Sequence, residues 1–112
     1  MAVRKTPAEV AQFLSDMKKA VNAGKISFIP RKKNMFTLAK LGLTMKDVKD
    51  ELINLSYANY VSGPETDYDC PASDCFWIFK TMIDSSCIYI KVKVLYQTDG
   101  GVKIVSFHID GI

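Results

Sequence analysis

Apolar residues change period once along this chain, from a helical spacing in the first half to alternation in the second. Val10, Phe13, Leu14, Met17 and Val21 recur three or four residues apart, which lays one stripe down a helix. Thr6-Pro7-Ala8-Glu9 precedes them with a capping threonine, a proline suited to the first turn and a glutamate placed for a capping box. With Asn22-Ala23-Gly24 available for a left-handed cap, the pattern predicts a helix over 7–22. Ile26-Ser27-Phe28-Ile29 runs into Pro30, which suits a short edge strand but not a central one. Met35, Leu38, Ala39 and Leu41 predict a short second helix closed by Gly42. Thr44 with Asp47 three residues on caps a third, which presents Val48, Leu52 and Leu55 and ends near Ser56.

The stretch 59–74 has no period and is predicted to be a loop, rich in Glu65, Asp67, Asp69 and Asp74. Beyond it, 76–82, 88–96 and 102–109 read as strands, separated by Asp84-Ser85-Ser86 and Thr98-Asp99-Gly100-Gly101. The expected fold class is therefore α+β, with N-terminal helices packed on a C-terminal antiparallel sheet, in one domain spanning residues 1–112.

Asp99-Gly100 is a strong hairpin signal, because a two-residue type I′ turn needs positive φ at both centres. Counting outward from it pairs Val94 with Val105, Val92 with Phe107 and Ile90 with Ile109, all on a core face. The opposite face then carries Lys93 across from Ser106, Lys91 across from His108, and Tyr89 near Asp110. The same parity through the Asp84-Ser85-Ser86 turn puts Trp77 and Phe79 in the core and Lys80 near Tyr89.

Composition narrows the setting only a little. Hydrophobic content of 48% and charged content of 24% exclude a disordered chain, and 112 residues are too few for two cores. A formal net charge of +3 leaves the placement of cations more informative than their sum. No apolar run approaches the roughly 20 residues that span a bilayer, and Met-Ala-Val-Arg-Lys-Thr-Pro does not lead into a signal-peptide core. The cysteines, Cys70, Cys75 and Cys87, are odd in number, which points to a reducing compartment, and the cytoplasm is the expected location.

The chemistry that the second sheet face suggests is cleavage of RNA without a metal or other cofactor. That reaction needs a base for the 2′-hydroxyl, cations for the phosphorane charge and an acid for the leaving 5′-oxygen. His108, the lone histidine, suits either proton transfer because an imidazole changes charge near neutrality. Lys91 and Lys80 are placed to stabilise charge, and Tyr89 to orient the phosphate, transfer a proton or stack on a base. Arg31-Lys32-Lys33 and Lys93 are candidate phosphate contacts. The plain alternative is a solvated face whose lysines discourage edge pairing, with the basic run an exposed turn. Cys70 and Cys75 with Cys87 and His108 make a nominal zinc set, but two of these fall on strands and two in a long loop, so no metal site is expected. The acidic loop reads as solvated, or as a cover lying over the basic face.

Read together, Lys18-Lys19-Ala20-Val21-Asn22-Ala23-Gly24, Leu41-Gly42-Leu43, Leu52-Ile53-Asn54-Leu55-Ser56, Trp77, Ile88-Tyr89-Ile90-Lys91-Val92-Lys93-Val94 and Val105-Ser106-Phe107-His108 resemble the MqsR family of bacterial toxins. The resemblance runs from about Met17 to His108. It implies a RelE/YoeB-like microbial ribonuclease fold and the toxin of a type II toxin–antitoxin pair: a sequence-specific mRNA endonuclease held inactive by a cognate antitoxin protein. The family's functional tyrosine falls on Tyr89, and its functional lysine near the C-terminus falls where this chain has His108. A family lysine beside the tyrosine-rich turn stands here as Ser62, and a glutamine after the strand tryptophan as Ile78. Tyr60 and Ser62 join the expected RNA-binding set on this basis.

Overall fold

The computed structural model describes residues 4–68 and 74–112. Helix α1 (Pro7–Asn22) begins in the expected capping box, in which the Thr6 hydroxyl accepts from the Glu9 amide and the Glu9 carboxylate accepts from the Thr6 amide. Strand β1 (Ile26–Phe28) follows, then α2 (Lys32–Leu41), α3 (Met45–Ile53) and a short 3-10 turn over Tyr57–Asn59. Four strands complete the chain: β2 (Tyr60–Glu65), β3 (Phe76–Ile83), β4 (Ser86–Val94) and β5 (Val102–Ile109). Their spatial order is β1-β5-β4-β3-β2. All neighbours are antiparallel except β1, which runs parallel to β5, so the sheet is mixed. A three-residue strand carries too little pattern to reveal its direction.

The core lies between one sheet face and helices α1 and α3. Val10, Phe13 and Met17 of α1 and Val48 and Leu52 of α3 pack on Phe79, Ile88, Ile90, Val92, Ile104 and Phe107. Trp77 joins them by stacking on Phe13, with ring centroids 4.5 Å apart. Among the described residues no helix is long and apolar enough to cross a membrane.

Three expectations are corrected. The stretch 59–74 is not all loop, because Tyr60–Glu65 forms edge strand β2 against β3. Two register shifts accommodate Pro64 there, and Gly63 makes the close approach possible. Gly63 has φ +120°, and a Cβ on it would lie 2.9 Å from Phe76 O and Trp77 Cα.

The second correction concerns α2. It starts at Lys32 with Arg31 as its cap, so the basic run is the first turn of a helix. Asn34 and Thr37 are its fully buried residues; Leu38 and Leu41 pack against the core as expected, while Met35 is exposed. β1 covers β5 only as far as Ile104, and beyond that point α2 side chains bond the open edge. Asn34 Nδ2 donates to Ile29 O and Val105 O, and its Oδ1 accepts from Phe107 N, each at 2.9 Å. Thr37 Oγ1 accepts from Ile109 N at 3.0 Å.

The third is the β4–β5 register. Asp99-Gly100 does not form a two-residue turn; Leu95 bonds Gly101 across a longer loop, with Gly100 at φ +76°. The positive-φ pair sits instead at Asp84 and Ser85, in the β3–β4 hairpin. From the longer loop, Val94 pairs with Val102 and Val92 with Ile104; a bulge at Val105 then sets Lys91 across from Ser106 and Tyr89 across from His108. Val105 is therefore half-buried on the far face rather than in the core.

Candidate functional site

The face away from α1 is where the sequence placed the chemistry, and the corrected register reorders it. Tyr89 and His108 are direct cross-strand partners whose rings stack, with centroids 5.4 Å apart and planes inclined by 28°. His108 Nδ1 lies 2.9 Å from Ile109 O. A carbonyl oxygen only accepts, so a neutral His108 carries its proton on Nδ1 and leaves Nε2 as a base. Burial, reinforced by Glu65, raises the Tyr89 pKa, so its hydroxyl stays protonated at neutral pH and can donate.

Around this pair lies an open cavity of about 380 Å³, lined by Arg31, Lys33, Tyr89, Lys91, Ser106, His108 and the Asp110–Ile112 terminus. The start of α2 brings two of its cations here. Arg31 Nη1 donates to Ser106 Oγ at 3.2 Å, which fixes the guanidinium over the sheet. Lys91 makes no ion pair among the described residues, and its ammonium lies 4.8 Å from the Phe76 ring centroid. Lys32 is exposed in the same helical turn but does not line this cavity.

The remaining expected residues are placed differently. Lys80 does stand across from Tyr89, yet its ammonium is bound to Asp110 at 2.9 Å, a contact that raises its pKa. Lys93 is no surface phosphate contact: it is 3% exposed and paired with Asp67 at 2.9 Å. The acidic segment therefore does reach the basic face at this position; Asp69 lies outside the described residues. Tyr60 is not on the face at all. It is buried on the helix side, where its hydroxyl donates to Gly63 O at 2.7 Å and its ring packs near Phe79 and Trp77. Ser62 is half-buried and donates to Glu65 Oε2 at 2.9 Å, across the ladder from a buried Ile78.

Comparison of the chain with protein families and with curated proteins finds no match.

Cys75 and Cys87 are free thiols, Cys70 lies outside the described residues, and among the described residues no three His, Cys, Asp or Glu side chains converge as metal ligands. Sequence reasoning missed Lys103 as part of this face and Asn34 as the buried side chain that bonds the β5 edge behind it. Lys103 lies across from Lys93, and like charges so placed repel; the Asp67 carboxylate relieves this. A hairpin loop counted through Gly101 would have revealed Lys103, since it then shares parity with Lys93.

Proposed function

We propose that this protein is the toxin of a type II toxin–antitoxin pair, an MqsR-like, metal-independent mRNA endonuclease of RelE/YoeB-like fold that an antitoxin protein holds inactive. The observation that carries the reading is the stacked Tyr89–His108 pair with Arg31 and Lys91 on one cavity. In this mechanism His108 Nε2 removes the proton of the ribose 2′-hydroxyl as that oxygen attacks the adjacent phosphorus. Lys91 and Arg31 donate to the non-bridging oxygens, where negative charge grows. The Tyr89 hydroxyl donates toward the leaving 5′-oxygen, and the P–O5′ bond breaks to leave a 2′,3′-cyclic phosphate. Asp110 holds Lys80 beside Tyr89, so Lys80 acts on the tyrosine and not on the phosphate.

A long mRNA incubated with the purified protein and EDTA should give discrete fragments ending in cyclic phosphate, and His108→Ala should give far fewer. Intact RNA with the wild-type protein overturns the enzyme reading. One observation favours a second reading, a non-catalytic nucleic-acid or protein-binding module: Ser62 and Ile78 remove polar groups that the family pattern supplies, and Ser62 is occupied by Glu65. Salt-sensitive RNA binding without cleavage would select it.

A further inference from the structure

A second cavity adjoins the first and takes no part in the chemistry above. It is larger, about 540 Å³, and shares Arg31 and Lys91 with the reaction cavity. The two side chains stand on the boundary between them. Its lining combines apolar Phe76 and Val105 with Lys103, Thr66 and Asp67, whose carboxylate is paired with Lys93. At its edge Tyr68 is 89% exposed.

We propose that this cavity receives one unpaired nucleobase of the bound RNA, belonging to a nucleotide next to the reacting phosphate, with Tyr68 stacking on the base. The inference rests on the reading of this face as an RNA site and adds a determinant of which sequences it accepts.

Three observations converge on a base. A phosphate held between Arg31 and Lys91 must continue into a neighbouring nucleotide, and this cavity is the space that both cations also line. Its apolar lining suits a flat ring, whereas its cations repel basic side chains and favour a ligand attached to phosphates. A tyrosine ring left almost wholly in water at the edge of such a cavity has its face free for stacking, which is how single strands are held in a sequence-tolerant way. The residue before it is anchored, because Asp67 is paired with buried Lys93, so Tyr68 is tethered close to the cavity. Only an unstacked base can enter, which makes single-stranded RNA the preferred substrate.

The test uses short single-stranded RNAs, methylated at every ribose 2′-oxygen to prevent cleavage and carrying a fluorescent purine analogue at one position at a time. Binding should quench the analogue at a defined position. Tyr68→Ala should abolish that quenching and weaken affinity about tenfold, the loss expected for one base stack. Tyr68→Phe, which keeps the ring, should restore both. Lys103→Ala should weaken binding while leaving the quenched position unchanged. No quenching at any position, quenching indifferent to Tyr68→Ala, or binding of a protein partner with no RNA affinity overturns the proposal. Failure of the nuclease reading looks different: unmethylated RNA stays intact while Tyr68-dependent quenching persists. Conversely, if Tyr68→Ala cuts the same sites as the wild type with the same efficiency, the base subsite falls and the nuclease stands.

Discussion

Asn34 and His108 hold opposite ends of one arrangement. Asn34 has no exposed surface, and its amide satisfies two carbonyls and one amide around the Val105 bulge. Asn34→Ala strands those groups in the interior, and a loss of about 3 kcal/mol is expected, measurable by urea unfolding. Because the bulge sets Tyr89 across from His108, any of that variant that still folds should also cut RNA more slowly. His108→Ala should leave the midpoint of unfolding nearly unchanged and lower the cleavage rate by roughly 10²–10⁴-fold, the usual contribution of a positioned acid or base. Tyr89→Phe separates ring from hydroxyl. Stacking on the imidazole survives in that variant, so RNA binding should persist while single-turnover cleavage falls.

Among the elements, the capped helices were the most legible, because a cap is a local arrangement that neighbouring residues complete by themselves. Thr6 with Glu9 and Thr44 with Asp47 both form capping boxes. The hydrogen bonds in these boxes lower the pKa of Glu9 and of Asp47. A carboxylate with a lowered folded-state value contributes stability above its unfolded value and loses it as pH falls through the folded one. Thermal stability should therefore decline below about pH 4, and a Thr6→Ala, Thr44→Ala variant should show less of that decline. β2 was illegible because two register shifts break the alternation from which strands are counted, and the β4–β5 register was lost first at the loop, which runs on to Gly101, and then at the Val105 bulge. Parity survived near Tyr89 because the register error there was even, so Tyr89, Lys91 and His108 were expected on the correct face with the wrong partners. Two glycines give a graded test at this scale. Gly42 has φ +66° with open space around it, so Gly42→Ala should cost only the left-handed strain, about 1–2 kcal/mol. Gly63→Ala adds a collision with the β3 backbone and should cost more, with loss of β2 protection in hydrogen exchange.

Over the whole molecule, a net charge of +3 conceals a polarised arrangement in which Arg31, Lys33, Lys91 and Lys103 gather on one face. Binding to single-stranded RNA should weaken with salt, and Arg31→Ala and Lys91→Ala should each flatten the log–log slope by about 0.7 if each neutralises one phosphate. Lys93→Ala should leave that slope alone and destabilise the fold, since it breaks a largely buried ion pair with Asp67. The sheet runs from this face to the Leu95–Gly101 loop at its far end. Tyr89 and Val94 are separated along β4 by roughly 17 Å at about 3.3 Å per residue. Because the bulge and the Asn34 bonds define the pairing at Tyr89, the loop is released from that duty. An inserted epitope or a fluorescent reporter spliced at Thr98 would ride on the hairpin tip, giving a handle for following the protein in living cells without touching the Tyr89–His108 pair.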